Sequence, residues 1–132
     1  KLKDSTVTLI TGFHIIEHLS FQEQLNLLRE SLRVLKPGGF IILETPNPKN
    51  IIVAACNFYA DPTHRHPIHP DTIRFVLESQ GFVDVDLKYW AKQNSIFEDE
   101  SEAQDGYLGE IESIIMDWFK SPPDYAVIGR KP

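Results

Sequence analysis

The sequence predicts an α/β protein in which four strands carry flanking helices. Residues 40–43 form a continuous apolar run that follows a Pro-Gly-Gly turn, and such a run is typical of a strand covered on both faces by helices. Predicted helices and strands also alternate along the chain in the order β-α-β-loop-α-β-α-β. Because 132 residues suffice for one hydrophobic core, we expect a single domain over residues 1–132.

The first three elements have clear sequence signals. Residues 6–11 are β-branched and mostly apolar, which predicts a strand that stops at Gly12. A helix follows at Ser20, because Ser20 and Glu23 form a capping box. One apolar stripe at alternating spacings of four and three residues predicts its buried face: Phe21, Leu25, Leu28, Leu32 and Leu35. The next strand, residues 40–43, should run parallel to the first.

The second half of the chain alternates loops with regular elements. Residues 46–70 are predicted to form an ordered loop with a short strand or turn near residues 57–60. Pro70 and Gly81 should begin and end the next helix. Alternation over residues 83–89 predicts a strand with one solvated face, near a sheet edge or in antiparallel surroundings. The remaining predicted elements are an acidic loop at 93–105, a helix bearing Leu108, Ile111, Ile114, Ile115 and Trp118, and a final strand at 125–129.

Composition excludes several classes of protein. A formal net charge of -6 argues against a protein that binds nucleic-acid backbones. A single cysteine, Cys56, cannot form an internal disulfide and favours an intracellular location. No apolar run approaches the roughly 20 residues of a membrane helix. We therefore expect a soluble, cytoplasmic protein, and the start at Lys1 without a methionine suggests a fragment or a processed terminus.

One short motif matches a zinc-peptidase pattern. His14, Glu17 and His18 have the H-x-x-E-H spacing. That chemistry needs both histidines on one face of a long helix and a third ligand from elsewhere. Here the motif lies between a strand and a separately capped helix, which disfavours proteolysis. The structural alternative is that Glu17 and His18 hold the turn and cap the neighbouring backbone.

A second polar cluster lies in the Pro-rich segment. Asp61, His64, His66 and His69 have spacings that match no closed zinc site, so no metal site is assigned. The sequence leaves open whether Glu17 with His18, or the three later histidines, bind a metal. The structural alternative is a rigid loop packed over the sheet edge.

The motifs FHIIEHL at residues 13–19 and VLKPGG at residues 34–39 resemble the second half of a class I S-adenosylmethionine-dependent methyltransferase. Residues 44–48 and 61–67 further resemble bacterial methyltransferases associated with glycan or O-antigen biosynthesis. The resemblance covers residues 4–89 and implies a partial Rossmann-like methyltransferase sheet, formed by the family's fourth to seventh strands. Because the sequence has no G-x-G-x-G loop, it also implies that the N-terminal cofactor-binding half is lacking and that the chain alone is inactive.

The resemblance implies methyl transfer from S-adenosylmethionine to an oxygen of a sugar or glycan-related acceptor. It places Gly12, Phe13 and His14 beside the cofactor, with His14 as the catalytic base. The residues expected to bind the acceptor substrate are Asn47, Tyr59 and His64.

A non-catalytic interaction module is the alternative function. Residues 7–10 would leave an unpaired apolar strand edge if the strands before them are missing, and such edges pair with other chains. This alternative predicts a homodimer formed by edge pairing or strand exchange.

Overall fold

A computed structural model of the chain describes residues 2–90 and 107–132. The element order agrees with the predicted alternation of strands and helices, except that the segment predicted as a loop at 46–70 contains a short helix at Ile51–Ala55. The elements are β1 (Val7–Phe13), a 3₁₀ turn (Ile16–His18), α1 (Phe21–Val34), β2 (Leu35–Pro46), α2 (Ile51–Ala55), a second 3₁₀ turn (Asn57–Ala60), α3 (Pro70–Gln80), β3 (Val83–Trp90), α4 (Tyr107–Lys120) and β4 (Asp124–Arg130). The predicted acidic loop at 93–105 lies outside the described residues.

The four strands form one mixed sheet in the order β1-β2-β4-β3. β1 and β2 are parallel, as predicted, whereas β4 runs antiparallel to both β2 and β3. The carboxyl ends of β1 and β2 therefore meet the beginning of β4: Phe13 pairs with Glu44, and Pro46 pairs with Asp124. Ligands of open α/β sheets bind at this edge. The sheet and its flanking helices confirm the predicted α/β fold.

Helix α1 begins with the predicted capping box. The Ser20 amide donates to Glu23 Oε2 at 2.7 Å, and the Glu23 amide donates to Ser20 Oγ at 3.4 Å. The predicted apolar stripe is wrong at its first residue, because Phe21 is exposed while Gln24 is buried. Gln24 Nε2 donates to the carbonyl of Ile16 at 2.9 Å. A satisfied buried amide thus replaces the expected aromatic contact and joins α1 to the 3₁₀ turn.

The sheet has a covered face and an open face. On the covered face, α1 and α3 pack over the strands; its buried side chains include Ile41, Leu43, Tyr125 and Val127. On the open face, Leu9, Phe13 and Phe40 are exposed within the part of the chain that the structure describes. The prediction that the strand at 40–43 is covered on both faces is therefore confirmed for one face of the sheet and not for the other, within the described residues.

The remaining signals for turns and edges are largely confirmed. Pro70 is the first residue of α3, and Gly81 ends it with a left-handed φ of 106°. β3 pairs with β4 alone among the described strands, as its solvated face predicted. Asn57–Ala60 forms a 3₁₀ turn, so the expected short strand or turn is a turn. Within the described residues, no helix is long and apolar enough to cross a membrane.

Candidate active site at the carboxyl edge of the sheet

Glu17 is the buried centre of the polar cluster at this edge. The 3₁₀ turn after β1 directs its carboxylate inward, where it is 0% exposed. Thr45 Oγ1 donates to Glu17 Oε2 at 3.0 Å, and His14 Nδ1 lies 3.2 Å from Glu17 Oε1. Such partners are needed because a buried carboxylate without them is strongly destabilising. The Glu17 carboxylate therefore contacts side chains, whereas the structural alternative expected it to cap the neighbouring backbone.

His14 lies at the rim of the cluster with an unusual backbone. Its φ of 51° is left-handed, a strained conformation that concentrates at functional sites in non-glycine residues. Its amide donates to the Glu44 carbonyl at 3.0 Å, which holds the residue against the end of β2. The side chain is 47% exposed, and its Nε2 lies 3.6 Å from Glu44 Oε1 and 3.9 Å from Asp124 Oδ1.

The sequence analysis did not predict that these two carboxylates lie beside His14. Glu44 carried a usable signal, because it directly follows the predicted strand at 40–43, at the edge where ligands bind. Asp124 carried none, since it precedes the final strand and follows a helix far along the chain. Its position beside His14 depends on β4 pairing antiparallel with β2.

The loop at 61–67 brings His64 to the 3₁₀ turn. The Arg65 amide donates to the Glu17 carbonyl at 2.9 Å, and Arg65 Nε donates to the His18 carbonyl at 2.8 Å. The His18 and His64 rings consequently lie 4.7 Å apart between centroids. His64 Nε2 lies 4.0 Å from Glu17 Oε1. Two motifs that were separate in the sequence therefore form one cluster.

Asp61 and Thr63 support this loop. Thr63 Oγ1 donates to Asp61 Oδ1 at 2.6 Å, and the Thr63 amide donates to the same oxygen at 2.8 Å. These two hydrogen bonds hold the pKa of Asp61 below its usual value. Thr63 Oγ1 also lies 2.9 Å from His18 Nδ1, so Asp61, Thr63 and His18 form a chain of hydrogen bonds.

A cavity of about 260 Å³ opens beside His14. It is lined by residues from both strand ends and the loop region: His14, Pro46, Val53, Asn57, Phe58, His64, Pro123 and Asp124. A larger cavity of about 550 Å³ lies between α2 and α4, with Pro48, Ile51, Ala54 and Trp118 in its lining. The larger cavity contains none of the predicted site residues. The smaller one combines an imidazole with a carboxylate and is the better candidate for chemistry.

The residues expected at the cofactor occupy the end of β1. Gly12 is buried, and a Cβ there would lie 3.0 Å from Leu43 Cδ2. Its missing side chain therefore allows close packing between β1 and β2. Phe13 is exposed on the open face, next to His14. Phe13 and His14 are the exposed residues at this strand end, and all three cofactor assignments stay predictions.

The residues expected at the acceptor are not equally placed. His64 lines the 260 Å³ cavity, while Tyr59 is exposed and does not line it. Asn47 is buried, donates from Nδ2 to the Pro122 carbonyl at 2.7 Å, and accepts at Oδ1 from the Lys49 amide at 3.0 Å. Its amide thus holds the β2 exit against the segment before β4. The acceptor roles of all three residues stay predictions.

Sequence comparison points to methyltransferases. The family described as "Methyltransferase domain" matches residues 1–43. A probable S-adenosylmethionine-dependent methyltransferase of Mycobacterium tuberculosis is 32% identical over 84 residues, which are 64% of this chain. The chain spans only about a third (30%) of the length of that relative.

Structural comparison finds the fold of this chain in solved methyltransferases. A SAM-dependent methyltransferase from Archaeoglobus fulgidus superposes with a TM-score of 0.81 and 30% identity, covering 98% of this chain and 62% of that protein. Phosphoethanolamine N-methyltransferase 2 of Haemonchus contortus, solved with S-adenosyl-L-methionine, has a TM-score of 0.63. At 12% identity, over 100% of this chain and 35% of that one, it shows the fold alone. The chain therefore has the Rossmann-like fold of class I methyltransferases, whose cofactor is S-adenosylmethionine.

Proposed function

We propose that the protein takes part in S-adenosylmethionine-dependent methyl transfer to an oxygen atom of a sugar or glycan-related acceptor. The acceptor lies in the 260 Å³ cavity at the carboxyl edge of the sheet. The observation that carries this proposal is the placement of His14, whose ring lies at the rim of that cavity and contacts the buried Glu17.

His14 is arranged as a base that a buried carboxylate orients. A carboxylate only accepts hydrogen bonds, so His14 Nδ1 donates to Glu17 Oε1 and Nε2 carries the lone pair. When bound, S-adenosylmethionine would supply an electrophilic methyl carbon: the acceptor oxygen would form the new bond to it, and the electron pair of the broken carbon–sulfur bond would stay on sulfur. His14 Nε2 takes the proton that the acceptor hydroxyl loses. The hydrogen bond from the His14 amide to the Glu44 carbonyl and the contact with Glu17 hold the ring in this position.

The other predicted site residues divide between the two ligands. Gly12, Phe13 and His14 contact the cofactor at the end of β1. His64 contacts the acceptor from the opposite wall of the cavity, where Phe58 packs against its ring at 4.5 Å between centroids. Tyr59 acts at the outer margin of the acceptor site through its exposed ring. Asn47 is buried and shapes that site by holding the exit of β2 against the segment before β4.

We also propose that this chain is the C-terminal half of a methyltransferase domain and is inactive by itself. In support, the sequence has no G-x-G-x-G loop, and it covers 62% of the Archaeoglobus protein. Calorimetric titration of S-adenosylmethionine into this chain should show no binding. Titration into a polypeptide that also contains the preceding glycine-rich half should show binding. Absence of binding by both polypeptides would overturn the methyltransferase proposal.

His14→Gln in that longer polypeptide tests the base. We expect the rate constant for methyl transfer to a hydroxyl acceptor to fall by about 10²- to 10⁴-fold, while cofactor affinity stays within a few-fold. His66→Gln is the matched control, because His66 is exposed and does not line the cavity. An unchanged rate in His14→Gln would exclude the proposed base. Comparing sugar hydroxyls with amine acceptors of similar size tests the acceptor class.

A homodimer formed through β1 is the second candidate function. β1 ends the sheet, and among the described strands it pairs with β2 alone. Leu9 and Phe13 are exposed on this strand, which favours pairing with another copy of the chain. Sedimentation should show dimers that Leu9→Lys dissociates. A monomer at high concentration would exclude this alternative.

A further inference from the structure

We propose that Glu17, His18 and His64 form a binding site for one divalent transition-metal ion, with zinc as the best match. Each residue offers one ligand atom, and these atoms all lie within 4.8 Å of one another. Two imidazoles and one carboxylate are a ligand set that zinc uses with a fourth position left open.

His64 has the tautomer that a metal ligand needs. Its Nδ1 lies 2.6 Å from the Phe58 carbonyl. A carbonyl can only accept, so Nδ1 carries the proton and donates it. The lone pair of His64 is therefore on Nε2, which lies 4.0 Å from both Glu17 Oε1 and Asp61 Oδ2. A metal ion bound at Nε2 would be attracted by both of these carboxylates.

His18 has the same tautomer for a different reason. Its Nδ1 lies 2.9 Å from Thr63 Oγ1. The single Thr63 hydroxyl proton is donated to Asp61 Oδ1, so this oxygen can only accept from His18. His18 Nε2 is thus also free to bind a metal. Metal-binding histidines usually donate their other ring N–H to a backbone carbonyl, or to a group that is itself hydrogen-bonded to a carboxylate, and this bond fixes the tautomer.

Glu17 completes the set as a buried carboxylate. Its two oxygens already accept from Thr45 and approach His14, and metal-ligating carboxylates are commonly held by such hydrogen bonds. Around a tetrahedral zinc with bonds of about 2.0–2.2 Å, ligand atoms lie roughly 3.3 Å apart. The ligand atoms, which now lie within 4.8 Å of one another, must approach by up to about 1.5 Å to reach that geometry. The His18 and His64 rings already lie close together, with 4.7 Å between their centroids and a tilt of 57°.

The ion would lie at the wall of the acceptor cavity, because His64 lines that cavity. A bound divalent ion polarises an oxygen that enters its open coordination position. This consequence rests on the proposed function, whereas metal binding itself does not.

Metal binding is tested on this chain without S-adenosylmethionine, so the result is independent of methyl transfer. Equilibrium dialysis against Zn²⁺ should give one ion per chain, and Co²⁺ should give the visible absorption of a low-symmetry four- or five-coordinate site. Thr63→Val removes the acceptor for His18 Nδ1 and should weaken Zn²⁺ binding by about 10- to 100-fold. His64→Ala removes a ligand and should weaken it more. His66→Ala, which alters an exposed histidine outside the cluster, should leave the affinity unchanged.

Two results would overturn the proposal. One is the absence of stoichiometric Zn²⁺ binding by the wild-type chain. The other is an equal loss in His66→Ala and His64→Ala, which would assign binding to surface histidines. If circular dichroism shows that His64→Ala does not fold, X-ray absorption spectroscopy of the wild-type zinc complex tests the site instead. Two imidazole ligands with oxygen completing the shell support the site, and any other imidazole count contradicts it.

Discussion

The two faces of the sheet differ in what lies over them. Ile41 is 0% exposed beneath α1 and α3, while its neighbour Phe40 on the same strand is 43% exposed on the open face. Both residues belong to the same apolar run, and nothing in their residue types distinguishes them. The difference shows that an apolar run predicts a strand, but that the packed layers decide which of its side chains form the core.

The polar site lies where the covered face ends. Thr45 follows Ile41 and Leu43 on that face of β2, and its hydroxyl donates to the buried Glu17 carboxylate. Glu17 is therefore buried at the end of the same covered face. His14 lies at the rim of the same region and is half exposed. The covered face thus combines stability and candidate chemistry, whereas the open face contributes exposed apolar surface.

The largest expected difference between the faces is in stability. Ile41→Ala should lower the free energy of unfolding by about 2–5 kcal/mol, because it leaves a cavity in a fully buried cluster. Phe40→Ala should cost less than half as much despite removing a larger side chain. Urea denaturation of both variants measures this. Equal losses would mean that the open face is packed as tightly as the covered one.

A smaller effect is expected from overfilling the covered face at Gly129. A Cβ at this position would lie 2.9 Å from Leu77 Cδ2 and 3.2 Å from Phe82 Cβ. Gly129→Ala should therefore cost about 1–3 kcal/mol. In a Leu77→Val background the cost of Gly129→Ala should shrink, because the shorter side chain gives way. Strictly additive costs in this double-mutant cycle would refute steric overlap as the cause.

The smallest effect concerns the buried phenol of Tyr125. Burial raises the pKa of Tyr125, and the nearby Tyr89 and Glu17 add to that shift. The folded chain then holds this proton more tightly than the unfolded chain. Its contribution to stability is complete below the unfolded pKa of about 10 and is lost as the pH rises above it. Stability should therefore begin to fall near pH 10 and should keep falling as the pH rises further.

Tyr125→Phe isolates that contribution. It removes the hydrogen bond from Tyr125 to the Ile68 carbonyl, 2.9 Å long, and should cost about 0.5–1.5 kcal/mol at neutral pH. Its stability should also decline less steeply above pH 10 than that of the wild type. Urea denaturation at a series of pH values measures both effects, and parallel curves would contradict the assignment.

Local patterns predicted much of the fold. The capping box of Ser20 and Glu23, Pro70 at the start of α3 and Gly81 at its end depend on hydrogen bonds and backbone angles within a few residues. The solvated alternation of β3 likewise indicated an edge. The sequence misjudged Phe21, because the amphipathic pattern could not anticipate that buried Gln24 would bond to the carbonyl of Ile16.

The candidate site was predicted only in its parts. The sequence identified His14, Glu17 and His18 in one motif and His64 in another, and it left metal binding by either open. The two motifs come together because the Arg65 amide donates a hydrogen bond to the Glu17 carbonyl. This bond connects two segments that are far apart in the chain. No spacing rule within either motif encodes a contact of that range.

By itself, the sequence determined the α/β class, the order of the elements and the strand end at which polar residues gather, because these follow from short-range periodicity and turn chemistry. The tertiary structure decided which face of the sheet is covered. It also placed Asp124 beside His14, and it joined Glu17, His18 and His64 in one cluster. Those outcomes depend on strand pairing and loop packing between segments that are distant in the chain. Such contacts form only when the whole chain is folded, so no local sequence pattern predicts them.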